Sequence, residues 1–465
     1  MKKLISTILF FFAPFVLFGQ DITGQWNGIL KVQGVQLRLV FHVNKAENGY
    51  TSTMDSPDQN ANGIPVTTTT FENQVLKFTV ANAGIAYEGT LGQAGTVAGT
   101  FKQGGQSFSL DLTREVFEKK GRPQEPVKPY PYYSEEVVFE NTKAGIQLAG
   151  TLTLPKQGGS NYPAVVLITG SGAQNRDEEL LGHKPFLVLS DYLTRNGIAV
   201  LRFDDRGTAS SKGDFKSATS KDFAEDVEAA LKFLNTRKEI DKNQIGLTGH
   251  SEGGTIAQMV AAKDKNLAFI VLLAGVGIPG DELLLRQSEL IGRASGLNEE
   301  HLKWAKKVNT TVYSLVKKST NDDSLKRDLR EYLNKEFKGN PNSGKPAAMS
   351  DDDFVSANVN ELTKPWLQYF IKYDPTPALE KVRCPVLAIN GEKDLQVPAQ
   401  VNLEAIRKAI EKGGNKNVTT KELPGLNHLF QESKTGLPAE YGTIEQTISP
   451  AALDVVTKWI LEVVK

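Results

Sequence analysis

Residues 245–254 read Ile-Gly-Leu-Thr-Gly-His-Ser-Glu-Gly-Gly, and within them Gly249-His250-Ser251-Glu252-Gly253 is a Gly-x-Ser-x-Gly pattern set directly behind an apolar run. Such a pattern asks for a sharp turn from strand into helix with the serine at its apex, on a backbone so crowded that both flanking positions must be small. Gly254 lets the helix that follows pack close to a sheet. A serine hydroxyl is a weak nucleophile at neutral pH and needs a base within hydrogen-bond reach, with a third group orienting that base. The chain has five histidines, His42, His183, His250, His301 and His428. His250 is fixed beside Ser251 and is expected to turn away and brace the sheet. His428, in the run Leu-Pro-Gly-Leu-Asn-His-Leu-Phe at 423–430, is the expected base, and Asp394, in Gly-Glu-Lys-Asp at 391–394, is the expected acid, with Glu392 as its competitor. The chemistry is acyl transfer, so an oxyanion must also be held. The backbone N–H of Glu252 is one expected donor. The second is expected from the glycine-rich run at 169–176, with Ala173 as the candidate together with Gly172 or Gln174.

The elements that must position these residues alternate between short apolar strands and amphipathic helices. Residues 164–169, 198–204 and 269–274 read as buried strands, 244–247 leads into the serine turn, 385–390 and 418–423 read as further strands, and 186–194, 221–236, 255–263, 399–411 and 450–464 as helices between or after them. That succession implies a parallel sheet covered on both sides, with a ligand site at the carboxyl ends of its strands. Ser251, Asp394 and His428 all fall at such ends. Residues 137–140 and 147–155 read as an opening antiparallel pair. Residues 280–378 interrupt the pattern with helical stretches at 281–293, 299–318, 324–337 and 360–372 and a polar loop at 340–353. They are expected to form a cap over the site, and Trp366, Tyr369 and Phe370 are its expected pocket residues.

The first part of the chain is different in kind. Lys2 and Lys3 precede a short apolar core, then Gly19, so residues 1–20 read as a secretory signal peptide and the protein is expected to be exported, periplasmic or secreted. Residues 21–117 alternate apolar and polar positions in short segments separated by Gly, Asn and Asp, which predicts a small all-β sandwich or barrel. Gly24-Gln25-Trp26 with Arg114 resembles the lipocalin signature, in which an arginine covers a tryptophan, and this resemblance gives both residues a structural role. Residues 118–134 carry four prolines in nine positions and are expected to be an extended spacer. The catalytic domain is then 135–465. The balance of 54 basic and 54 acidic residues gives no electrostatic case for nucleic acid or an anionic membrane surface. Cys384 is the only cysteine, in an apolar strand pattern where it is expected to be a packing residue. No metal-ligand spacing and no cofactor motif appears, and His183, Arg202, Asp204, Asp205 and Arg206 are expected to form a buried ion-pair network rather than a second site.

The runs at 170–178, 183–189 and 202–207, with Gly249-His-Ser-Glu-Gly-Gly254 and Gly391-Glu-Lys-Asp394, resemble bacterial α/β-hydrolases of the serine-aminopeptidase-like, EstD-type esterase group. The order Ser251, Asp394, His428 is that of the α/β-hydrolases. The resemblance covers about residues 135–465 and implies a doubly wound, mostly parallel sheet with a helical cap, preceded here by the all-β domain. It also implies a carboxylesterase for short acyl esters, with Ser251, Asp394 and His428 as triad and a loop N–H near Ala173 in the oxyanion hole. The run at 208–213 departs from the Gly-Val-Gly-x-Ser commoner in that group, at a structural turn. The expected partner is a small-molecule ester. The rival readings are an aminopeptidase or amidase on the same triad, recruiting Glu178, Glu179 or Glu252 for a free amine, and a lipid- or glycan-binding role for the all-β domain in targeting.

Overall fold

Two sheets carry the chain, one built from alternating burial and one whose inner strands include several buried at every residue. The computed structural model describes residues 21–465, apart from 33–34, 60, 104–105, 118–121 and 346–348. The expected signal peptide at residues 1–20 lies outside the described residues.

In the first unit, which ends at Glu118, nine antiparallel strands are described, running in sequential order from Gly24–Val32 to Gln106–Ser109, with Ala61–Pro65 pairing off the path on Gly49–Ser56. Strand Ile85–Leu91 shows the period plainly, with every second residue buried. Asn27 and Thr113 exchange N–H···O bonds of 2.8 Å, which joins the first strand to the end of the chain's circuit and decides between sandwich and barrel in favour of the barrel. Phe41, Phe78 and Tyr87 stack through the interior, with centroids 4.4 Å and 5.8 Å apart. These rings, with Trp26, Leu76, Phe101 and their neighbours, fill the barrel as a packed core. The Arg114 guanidinium lies 3.8 Å from the Trp26 ring and donates to the Gln25 carbonyl at 3.0 Å, which gives both residues a structural part.

The second unit contains an eight-stranded sheet. Its strands are β1 (Tyr133–Asn141), β2 (Ile146–Leu154), β3 (Tyr162–Ile168), β4 (Ala199–Phe203), β5 (Ile240–His250), β6 (Phe269–Leu273), β7 (Val386–Gly391) and β8 (Val418–Leu423), in the spatial order β1-β2-β4-β3-β5-β6-β7-β8. The β1–β2 and β2–β4 pairs are antiparallel and the remaining neighbours are parallel. Strands β4, β6 and β7 are buried at every residue, as helices on both faces require. The covering helices include α1 (Pro185–Arg195), α2 (Ser220–Thr236) and α3 (Glu252–Ala261). The two apolar layers on either side of the sheet form separate cores, one including Leu201, Leu247, Ile256 and Leu272, the other Val165, Phe186, Val271 and Ile389. This is the α/β-hydrolase fold, with the all-β unit in front of it.

Between β6 and β7 stand α4 (Gly280–Ala294), α5 (Glu299–Lys318), α6 (Asp322–Phe337), α7 (Asp351–Leu362) and α8 (Pro365–Lys372), around a core of their own that includes Val312, Leu329 and Val359. The single helix expected at 360–372 is two helices. Pro365 disfavours helical geometry at the residue before it and starts α8 at the position where its missing N–H costs nothing. After α8 come α9 (Thr376–Leu379), α10 (Ala399–Lys412) and α11 (Pro450–Val463).

Within the stretch expected to be an extended spacer, Arg122 and Gln124 bond to this unit. Arg122 donates to the carbonyls of Gly442 (2.7 Å) and Ile444 (3.1 Å), while Gln124 accepts from Thr447 N–H at 2.6 Å and donates to the Ile448 carbonyl at 2.7 Å. Proline spacing favours an extended backbone, and extended polyproline backbone makes no hydrogen bonds within itself, so the side chains of such a stretch are available to a neighbouring surface.

Candidate active site

Strand β5 ends at His250, α3 begins at Glu252, and Ser251 between them has φ 53° and ψ −116°. A non-glycine residue persists there only where its surroundings over-determine it. A side chain at Gly249 would meet the Gly253 carbonyl at 2.0 Å, and one at Gly253 would meet the Ile168 carbonyl at 2.1 Å, so neither flank tolerates a Cβ. Ser251 N–H donates to the Leu273 carbonyl at 2.8 Å, tying the turn to β6. The first N–H groups of α3 have no acceptor within the helix and carry its positive dipole end, and Glu252 provides the first of them.

Asp394 and His428 meet. Nδ1 of His428 lies 2.7 Å from Oδ2 of Asp394, with both side chains buried. The loop after β7 aims the carboxylate: its Oδ1 accepts from the backbone N–H groups of Gln396 and Val397, each at 2.8 Å, while Oδ2 meets the imidazole and accepts from the Asn390 amide at 3.5 Å. The competitor Glu392 accepts from Gly425 N–H at 2.8 Å, on the flank of the His428 loop. His428 is carried by a turn that Asn427 builds from inside. The Asn427 side-chain oxygen accepts from Leu429 and Gln431 N–H at 3.0 Å, and its amide nitrogen donates to Gln431 Oε1 at 2.9 Å. Gln431 in turn reaches His183, which bonds the Tyr441 carbonyl and Thr447. The part played by Asn427 was legible in principle, because Asn is a turn former where it precedes an irregular loop. Gln431 gave no such sign.

The loop after β3 is pinned at both ends by carboxylates. Glu178 Oε1 accepts from Gly170 N–H at 2.7 Å and lies 2.9 Å from His250 Nδ1, so His250 braces this loop. Asp205 accepts from Thr169 Oγ1 (2.7 Å) and from Gln174 N–H (2.9 Å). That bond takes Gln174 out of the set of oxyanion donors. Gly172, at φ 101°, and Ala173 lie on the exposed part of the loop.

Of the expected ion-pair network, Arg202, Asp204 and Arg206 are paired around the end of β4, while His183 bonds to Gln431, Tyr441 and Thr447 and Asp205 to Thr169 and Gln174. Arg176 pairs with Asp204 at 2.7 Å, Arg202 with Asp177 at 2.8 Å and Arg206 with Asp226 at 2.7 Å. Burial works against the Asp204 carboxylate, yet Arg176 outweighs it and holds its pKa below the usual value. Asp205 bonds to Thr169 and Gln174, and burial, with Glu252 and Glu178 nearby, pushes its carboxyl up to about 8. Asp205 and Glu252 both line a small cavity of about 10 Å³ with Thr169, Gly170, Phe203 and Ile256.

Glu252 is buried, and burial raises the pKa of its carboxyl above the ordinary carboxylate range. Its Oε1 accepts from Ser220 Oγ at 2.6 Å and from the indole Nε1 of Trp366 at 2.8 Å, so the cap touches the residue that follows Ser251. Of the three aromatics expected in the pocket, Trp366 alone makes that contact. Phe370 is buried in a cluster with Val276, Ile278, Leu283 and Val397, and Tyr369 packs against the sheet's core and stacks on Tyr373. All three share one face of α8, being spaced i, i+3 and i+4, and Trp366 stacks on Phe370. Cys384 stands in the segment before β7, and burial pushes its thiol up to about 12, which makes it inert at neutral pH.

The family model described as X-Pro dipeptidyl-peptidase (S15 family) matches residues 144–413, a span that includes Ser251 and Asp394 and stops before His428. Esterase EstD of Thermotoga maritima is 26% identical over 340 residues, 71% of this chain and 70% of its own length. An uncharacterised protein of Pseudomonas aeruginosa is 30% identical over 174 residues, 36% of this chain and 42% of that protein. Among solved structures, the α/β-hydrolase GrgF from Penicillium sp. sh18 aligns over 72% of this chain and 98% of its own, at 16% identity and a TM-score of 0.45. The Pyrococcus furiosus esterase Pf2001 aligns over 71% and 93%, at 14% identity and a TM-score of 0.41.

Proposed function

The chain belongs to the X-Pro dipeptidyl-peptidase (S15) family of hydrolases, and from that premise we propose that it is a serine hydrolase of carboxylic esters with short acyl groups. The observation that carries the reading is the 2.7 Å contact between Asp394 and Nδ1 of His428, at the end of the sheet where Ser251 occupies its strained turn. Ser251 Oγ attacks the ester carbonyl carbon and His428 Nε2 takes the hydroxyl proton. Asp394 holds Nδ1–H and stabilises the imidazolium that forms. The oxyanion is met by Glu252 N–H and by a second N–H from Gly172 or Ala173. The tetrahedral intermediate collapses as His428 passes its proton to the departing alkoxide, and the alcohol leaves. Water, deprotonated by His428, then attacks the acyl-serine and releases the acid. The basic and apolar composition of residues 1–20 supports placing this activity outside the cytoplasm.

The family's name and the sequence-level rival both point toward peptides. A peptidase that reads a free amino terminus needs an available carboxylate near the mouth of its site. Glu178 is engaged by His250 and Gly170, Glu179 accepts from the Asn175 amide at 3.4 Å, and Glu252 is engaged by Ser220 and Trp366, which favours the ester reading. The test is hydrolysis of p-nitrophenyl acetate and butyrate, and of aminoacyl-p-nitroanilides, by wild type and Ser251→Ala. Ester turnover lost in the folded variant supports the proposal, equal ester rates in the two proteins refute it, and turnover of the anilides alone gives the site to a peptidase.

A further inference from the structure

The side chains of His250 and Glu178 are among the most enclosed ionisable groups near Ser251, with 9% and 4% of their surface exposed. Neither has a part in acyl transfer as set out above. Nε2 of His250 lies 3.0 Å from the carbonyl oxygen of His428. A carbonyl can only accept, so Nε2 carries a proton. Nδ1 lies 2.9 Å from Glu178 Oε1, and that oxygen already accepts the Gly170 N–H at 2.7 Å. The ring thus has an acceptor on each side, the arrangement of an imidazolium between a carboxylate and a carbonyl. Burial alone would lower the pKa of His250, but the Glu178 carboxylate overrides it and raises it; the other ionisable groups facing the ring are His428, whose ring centroid is 4.8 Å away, and Asp394.

These bonds join three segments far apart in sequence. Gly170 opens the loop that bears Gly172 and Ala173, His250 is covalently attached to Ser251, and the His428 carbonyl belongs to the residue proposed as base. We propose that the His250–Glu178 ion pair is the positioning device of this site, setting the oxyanion loop and the His428 loop against Ser251 without touching substrate or reacting atoms. The inference rests on the serine-hydrolase reading. Reacting groups displaced by about 1 Å lose on the order of 10²-fold in rate. A pair that acts as one unit also gives non-additive losses when both members are changed.

The experiment compares wild type, Glu178→Gln, His250→Gln and the double variant on p-nitrophenyl butyrate, with Ser251→Ala as the inactive reference. The expected result is a fall in kcat on the order of 10²-fold in each single variant, an unchanged KM, and a double variant no worse than either single one. Unchanged kcat in folded single variants, or losses that multiply in the double variant, overturns the proposal. Nitrogen-15 spectra of the histidine rings form an arm independent of turnover. At pH 8 one ring of the wild type is expected to carry protons on both nitrogens, a signal absent from His250→Gln and shifted in Glu178→Gln. A singly protonated His250 ring at pH 8 overturns the ion pair even if His250→Gln fails to fold, because wild type supplies that measurement. A wild type that hydrolyses no ester removes the serine-esterase reading and leaves the spectroscopic result to decide the pair.

Discussion

Replacing Asp205 by Asn is expected to stabilise the protein, and to do so more as the pH rises. Asp205 makes its bonds to Thr169 and Gln174 rather than to a cation, and its pKa is raised to about 8 from an unfolded value of 3.8. The folded chain therefore keeps this proton over a range in which the unfolded chain has released it. Between pH 4 and 8 the unfolded state binds fewer protons, so this group makes wild-type stability fall as pH rises. Asn does not titrate, and it reproduces the protonated acid: its oxygen can accept from Gln174 N–H while its amide donates to Thr169 Oγ1. One proton corresponds to at most about 1.36 kcal/mol per pH unit, or about 2.7 kcal/mol between pH 5 and 7. The expected gain between pH 5 and 7 is therefore roughly 1–2.5 kcal/mol. Urea unfolding of wild type and Asp205→Asn at pH 5, 6, 7 and 8, followed by tryptophan fluorescence, measures the difference. Of the chain's 4 tryptophans, Trp304, Trp366 and Trp459 lie in the hydrolase unit and report on its unfolding. A stability difference that stays flat across this range, or that favours wild type increasingly at high pH, refutes the reasoning.

Asp394→Asn should keep the fold and lower kcat by on the order of 10⁴-fold, because the amide favours the wrong tautomer of His428; steady-state ester kinetics check this. Trp366→Phe keeps the ring stack on Phe370 and deletes the donor to Glu252, a hydrogen bond worth about 1.5–3 kcal/mol if the acceptor is charged and about 1 kcal/mol if it is protonated. Amides of α8 should then exchange faster with solvent in hydrogen-exchange mass spectrometry, and unchanged exchange across Pro365–Lys372 would show that this bond does not fasten the cap.

The hydrolase sheet was readable because its inner strands β3, β4, β6 and β7 are largely apolar runs with helices between them, a pattern that admits few topologies. The positions of Ser251, Asp394 and His428 at strand ends followed from that pattern plus local turn chemistry. What escaped was set by tertiary contact. The proline-rich stretch gave an extended backbone, but nothing local to Arg122 indicates that its acceptors are the carbonyls of Gly442 and Ile444, more than 300 residues later. Gln174 qualified as an oxyanion donor by loop position, and the side chain that takes its N–H belongs to Asp205 at the end of another strand. Phe370 shared an aromatic run with Trp366, and only the packing of α8 separates the buried ring from the one that meets Glu252. His250 was expected to brace the sheet, and its partners are loops, one carrying Gly170 and the other His428.

The central claim is that Ser251 is the nucleophile, and covalent labelling tests it most directly. A fluorophosphonate should phosphonylate the folded protein and abolish ester hydrolysis at one equivalent. Tryptic digestion places Ser251 in peptide 243–263, where it is the only serine. The account predicts the adduct mass on that peptide and its loss in Ser251→Ala. Inactivation with the adduct on any other peptide would contradict it.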